Sequence, residues 1–108
     1  MKLTNIAKGK AWFEVLQTTE RSQTAMMTLA ASASTGAKPE AHEQSDQVLL
    51  MLQGELTGEV GQQRVTLQKG DVLIISAGEK HRFTNLSEHP AMTFNVYSPP
   101  EYPPDAKG

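Results

Sequence analysis

His42, His81 and His89 are the only histidines in this sequence, and no cysteine accompanies them. Thiolate nucleophiles, disulfides and thiolate metal sites are therefore excluded. The remaining donors for chemistry are imidazole, carboxylate, amide oxygen and water. Around His42 the chain runs Glu40, Ala41, His42, Glu43, Gln44, Ser45, Asp46, Gln47, which places amides and carboxylates within a few residues of one imidazole. His81 lies far along the chain and joins them only if the fold brings two distant segments together. Such a set suits a divalent transition metal, because imidazole and oxygen donors serve manganese, iron, nickel, copper and zinc alike. His89, in Ser87-Glu88-His89-Pro90, sits in turn-forming sequence and is expected to stand apart. Glu43 and Asp46 are expected to be solvated loop acids, with no convergence that would make them an acid–base pair.

The elements that must position these side chains are short. Gly54, Gly58, Gly61, Gly70 and Gly78 interrupt the middle of the chain too often for a helix of ordinary length, whereas a series of hairpins uses them. Strands are expected at Gln47–Leu52, Glu55–Val60, Arg64–Leu67, Val72–Ile75, Arg82–Asn85 and Ala91–Tyr97, with two more at Ala11–Gln17 and Thr24–Ala31. The last of these contains alanines and two methionines and has helical character, but its Thr24-x-Met26-x-Thr28 alternation and its surroundings favour a strand. At 108 residues the chain has room for one domain, and 38% hydrophobic with 20% charged residues is ordinary globular composition. The expected architecture is all-β, an antiparallel barrel with its core about 11–97 and a Pro-rich tail over 98–108. That tail carries Pro99, Pro100, Pro103 and Pro104 and is expected to run extended over the surface or a neighbour.

Several partners are excluded or constrained. The formal net charge is −2 and the basic residues are scattered, so no stripe of Lys and Arg matches a phosphate backbone. No basic amphipathic segment marks a membrane surface, and no apolar run has the length of a signal peptide or a bilayer span. A cytoplasmic location is the expectation that follows. Val48-Leu49-Leu50-Met51-Leu52 is apolar on both faces of a strand, so its outer face requires another layer or another subunit, and a homodimer is expected.

From Gly70 the sequence reads glycine, five residues, Ser76, one residue, Gly78, two residues, His81, three residues, Asn85. This resembles the second sequence motif of the cupins at every spacing, with Ser76 where that family has proline. The first motif of the family, two histidines two apart, then a glutamate, then a glycine seven beyond it, is partial. Gly54 places Gln47 at the glutamate position. If His42 is the second histidine, Glu40 holds the first position and Glu43–Asp46 form the loop. If His42 is the first, Gln44 takes the second, which leaves only Ser45-Asp46 before Gln47, poor chemistry for a two-residue hairpin. Glutamine in place of the glutamate occurs in close variants of the motif that also have shorter loops. On that ground Gln44 is taken as the altered histidine, with Glu40 as the alternative ligand. The resemblance covers about positions 24 to 97.

It implies a jelly-roll barrel (a double-stranded β-helix) with a metal site of His42, Gln44, Gln47 and His81. Met51, which shares the Gln47 face by alternation, and Phe83 and Asn85, which share the His81 face, are the candidate pocket-lining residues. Trp12 and Phe13 are expected to serve packing or a subunit contact. A glutamine contributes no charge, so any manganese, iron, nickel, copper or zinc is expected to be held weakly or not at all. Two functions follow: a metal-dependent enzyme of oxygenase or isomerase type acting on a small organic molecule, or a non-catalytic small-molecule-binding or sensing barrel with a degraded metal site. Fold alone does not choose between them.

Overall fold

A computed structural model of the chain describes residues 1–8 and 11–108. Within them the regular structure is almost wholly strand: β1 (Phe13–Thr18), β2 (Gln23–Leu29), β3 (Asp46–Gln53), β4 (Glu55–Val60), β5 (Gln63–Gln68), β6 (Val72–Ile75), β7 (His81–Thr84) and β8 (Ala91–Ser98), with one 3₁₀ turn at Ile6–Lys8. Two antiparallel sheets face each other, one in the order β1-β2-β8-β3-β6 and one in the order β5-β4-β7. This is the expected jelly roll. Among the described residues no helix is long and apolar enough to cross a membrane.

Alternation along each strand sends one set of side chains between the sheets. Met27, Leu29, Leu49, Met51, Leu56, Leu67, Ile75, Phe83 and Ala91 form the core cluster there. Leu49, Leu56 and Phe83 are buried to within 1%. The inner face changes character along its length. In β3 the inward residues run Gln47, Leu49, Met51, and in β8 they run Tyr97, Asn95, Thr93, Ala91. Gln47, Tyr97 and Gln23 fall in one row across three strands. One end of the barrel is therefore polar and the other is closed by aliphatic side chains.

The strands sit where the sequence places them, with informative differences at their ends. Residues 11 and 12 precede β1, although the Trp12 carbonyl still accepts from Thr28 N at 2.7 Å. β2 stops at Leu29 because the chain turns at Ser32, whose φ is +69°. The outer face of β3 is not covered by the second sheet. Val48 lies opposite Ile74 and Val96, and Leu50 lies opposite Val72 and Phe94. Val72 and Ile74 each remain 64% exposed.

The Pro-rich tail folds back on its own chain. Val15 N donates to Ala106 O at 2.9 Å and Gly108 N donates to Phe13 O at 2.8 Å, so the last residues pair along the free edge of β1. A sheet edge left with unpaired backbone groups invites association, and the tail occupies this one.

Candidate functional site

The two segments that carry His42 and His81 are joined by backbone hydrogen bonds. Gly78 N donates to His42 O at 2.8 Å, in a turn where Gly78 has φ +84° and a side chain would be strained. Glu40 N donates to His81 O at 3.0 Å, and His81 N returns a bond to Glu40 O at 2.9 Å. Asp46 Oδ1 accepts from Ala77 N at 2.9 Å and secures the same turn. The glycine that the second motif requires thus docks on the histidine of the first. The two imidazole rings lie with centroids 4.9 Å apart.

Each ring has its Nδ1 engaged. His81 Nδ1 is 3.0 Å from the Glu79 carbonyl, an obligate acceptor, so Nδ1 carries the proton and Nε2 has a free lone pair. His42 Nδ1 is 3.2 Å from Glu101 Oε2. Burial holds the His81 pKa below the ordinary 6.5, with the neighbouring His42 acting in the same direction against the Glu79 carbonyl and carboxylate. His81 is thus neutral and ligand-competent at neutral pH.

Gln47 lines the same cavity as the two rings, at 4% exposure. Its Nε2 donates to Asn95 Oδ1 at 2.9 Å, while Asn95 Nδ2 donates to Thr93 Oγ1 at 2.9 Å and reaches the Ala25 carbonyl at 3.5 Å. Because a carbonyl can only accept, this chain of amides has a fixed direction, and it leaves the Gln47 oxygen outside the relay. That Oε1 is buried without a partner. An unpaired buried acceptor costs about 1–3 kcal/mol, which is recovered when a donor or a cation arrives.

The cavity has a volume of about 380 Å³, within the range of small-molecule sites. His42, Gln47, His81, Glu40, Glu101 and Lys38 provide its polar lining. Phe13, Phe83, Tyr97, Tyr102, Trp12 and Met27 provide apolar and aromatic walls. Tyr97 and Tyr102 pack edge to face at 5.2 Å, and burial pushes both phenols up, so both stay protonated donors.

Of the residues singled out in the sequence, the structure brings His42, His81, Gln47, Phe83 and Glu40 to this cavity. Gln44 is exposed to solvent and is not part of the lining. The reason lies in the backbone: Glu40 is bonded to His81, so four residues span the gap from His42 to Gln47, and Gln44 falls on the outside of that loop. Glu40, the alternative to Gln44, pairs with His81 and lines the cavity. Met51 is packed in the aliphatic end of the core. Asn85 is fully buried, but its amide donates to Leu29 O and His89 O and accepts from Ser87, closing the turn before β8 rather than facing the cavity. His89 is exposed on that turn. Nine lining residues lie outside the set that the sequence points to, among them Trp12, Phe13, Glu101 and Tyr102. The aromatic pair adjacent to β1 and the Glu-Tyr in the tail are the only signals, and neither has a spacing that points to a site.

The cupin domain family matches residues 25–97 of this chain. The chain belongs to the cupin family. Among solved structures, this cupin is similar to a Bacillus halodurans protein at 22% identity, covering 98% of this chain and 86% of the other, with a TM-score of 0.88. It is also similar to a Thermus thermophilus protein at 25% identity, covering 92% and 98%, with a TM-score of 0.78. A third similar structure is a predicted oxalate decarboxylase from Thermotoga maritima, at 23% identity over 75% and 69%, with a TM-score of 0.68. No curated protein sequence matches the chain.

The donor set of this cupin is narrow. Among the described residues no group of three or more His, Cys, Asp or Glu side chains is arranged to hold a metal ion. What the cavity presents is two imidazoles and one unpartnered amide oxygen. The set fits a borderline divalent metal such as nickel, copper or zinc, but without an anionic ligand.

His81 also sets a pH dependence. Its pKa is lower folded than unfolded, so the unfolded chain binds more protons as pH falls through 6.5, and the contribution present above that pH is lost below it. Thermal melts between pH 8 and pH 5 are expected to show a steeper fall in Tm for the wild type than for His81→Gln. Parallel curves would contradict the assignment.

Proposed function

We propose that this cupin binds a small organic molecule in its barrel cavity, and that His42, His81 and Gln47 form a weak divalent transition-metal site at the polar end of that cavity. The buried, unpartnered Gln47 oxygen carries this reading. Nothing else in the cavity satisfies it, and its polarity is set by the Asn95 relay behind it. A bound metal would supply Lewis-acid polarisation of an oxygen on the organic molecule. The chain's own residues do the rest: His81 holds its proton on Nδ1, aromatic walls exclude water, and Tyr102 and Tyr97 stand as protonated phenols beside the ligand space.

A second reading has its own support: among the described residues no three His, Cys, Asp or Glu side chains converge on a metal position. The same lone pairs would accept hydrogen bonds from hydroxyl or amine groups of a ligand directly, and the protein would then be a binding or sensing module.

Calorimetric titration of chelator-treated protein with nickel, zinc, copper, manganese and iron(II) separates the two. The metal reading expects saturable one-site binding with dissociation constants in the micromolar to millimolar range, abolished in His42→Ala and in His81→Ala. Absence of saturable binding below millimolar metal removes the metal reading and leaves the binding module.

A further inference from the structure

The tail is held over the cavity by one buried side chain. Gln23, 1% exposed on the inner face of β2, accepts from Glu101 N at 3.1 Å and from Tyr102 N at 3.0 Å through Oε1. Its Nε2 donates to Tyr102 O at 2.8 Å. Three hydrogen bonds to two consecutive residues fix their backbone. The Tyr102 ring packs on Phe13 at 4.8 Å and on His42 at 5.9 Å, so the segment is seated on the barrel mouth by its side chain as well. The consequence is the position of Glu101, whose carboxylate meets His42 Nδ1 with both side chains mostly buried, at 17% and 25% exposure. Glu101 lies outside the span that matches the family.

We propose that Glu101 is a positioning residue of this site, holding His42 in the Nδ1–H form with its Nε2 lone pair free, and supplying beside that imidazole the negative charge that Gln47 does not. A carboxylate behind a ligating histidine orients the ring, selects its tautomer and raises its basicity, and loss of such a partner typically lowers metal affinity about 10–100-fold. Glu101 and Glu40 are the two carboxylates lining the cavity among the described residues, and Glu101 is the one in contact with an imidazole. The affinity part rests on the metal site proposed above; the tautomer part does not.

The test uses the metal-free, full-length protein. Nitrogen-15 NMR of the His42 ring at pH 8.5 is expected to show the Nδ1–H tautomer in the wild type. Glu101→Ala is expected to move it to a mixture rich in Nε2–H. Glu101→Gln, whose amide oxygen still accepts, is expected to retain the wild-type tautomer while losing at least about tenfold in nickel affinity. A His42 tautomer unchanged in Glu101→Ala overturns the proposal, as does full nickel affinity in both variants. If the wild type binds no nickel, the metal reading fails and the tautomer measurement still decides the role of Glu101.

Discussion

Gln47→Glu is expected to raise nickel affinity by about a hundredfold while lowering the stability of the metal-free protein. The substitution keeps the length of the side chain and replaces a neutral amide with a carboxylate. An added carboxylate attracts a divalent ion by several kcal/mol even at an effective dielectric near 20, part of which is spent on desolvation. A hundredfold corresponds to about 2.7 kcal/mol. Without metal, the same carboxylate is buried at a position now 4% exposed, where desolvation raises its pKa and penalises its charge. The Asn95 amide must also turn to donate to it, which puts its oxygen where Nδ2 now faces the Ala25 carbonyl. Metal-free Tm should therefore fall, and added nickel should raise Tm by more in the variant than in the wild type. Unchanged nickel affinity would show that Gln47 does not face the ion.

Gly54→Ala is the largest expected loss of stability outside the core. Gly54 has φ +80°, and a Cβ there would lie 2.5 Å from the Pro90 carbonyl oxygen and 3.0 Å from Ala91 Cα. The left-handed backbone costs roughly 1–2 kcal/mol for a residue with a side chain, and forcing atoms into a packed contact costs typically another 1–3. The neighbours are backbone and cannot rotate away. A loss of about 3 kcal/mol is expected in urea unfolding at constant m-value. The damage is also functional, because Gly54 ends β3 and that strand sets the register of Gln47. A loss below about 1 kcal/mol would mean that the β3–β4 turn relaxes around the new methyl group.

The barrel was legible because its constraints are local. Gly54 and Gly78 occupy positive-φ turns that L side chains resist, and their spacing from Gln47 and His81 is a property of the backbone that any sequence adopting it must respect. Alternation in β3 put Met51 on the Gln47 face for the same reason, and both are buried. Alternation was insufficient at strand ends. Asn85 has the parity of Phe83, but β7 ends at Thr84 and the side chain beyond it caps a turn. The choice of Gln44 treated the segment after His42 as a hairpin loop whose length decides the register. The segment is tied instead to β7 through Glu40 and His81, a long-range pairing with no local signature.

The tail was the least legible part. Prolines correctly excluded it from a central strand, but its docking depends on Gln23 reaching two backbone amides some eighty residues away in sequence. Gln23, at the start of β2, was the only trace of that clamp. Trp12 and Phe13 became cavity walls through the same closure, since Tyr102 stacks on Phe13 and completes the aromatic side.

The central claim is that His42, His81 and Gln47 converge on one cation-binding point. Crystals of the chelator-treated protein soaked in nickel, with data collected across the nickel absorption edge, locate that point directly. The account predicts one anomalous peak in the cavity, about 2.0–2.2 Å from His42 Nε2, His81 Nε2 and Gln47 Oε1, as expected for nitrogen and oxygen ligands of a first-row metal. A cavity free of anomalous density, with nickel found only at exposed groups such as His89, would contradict it.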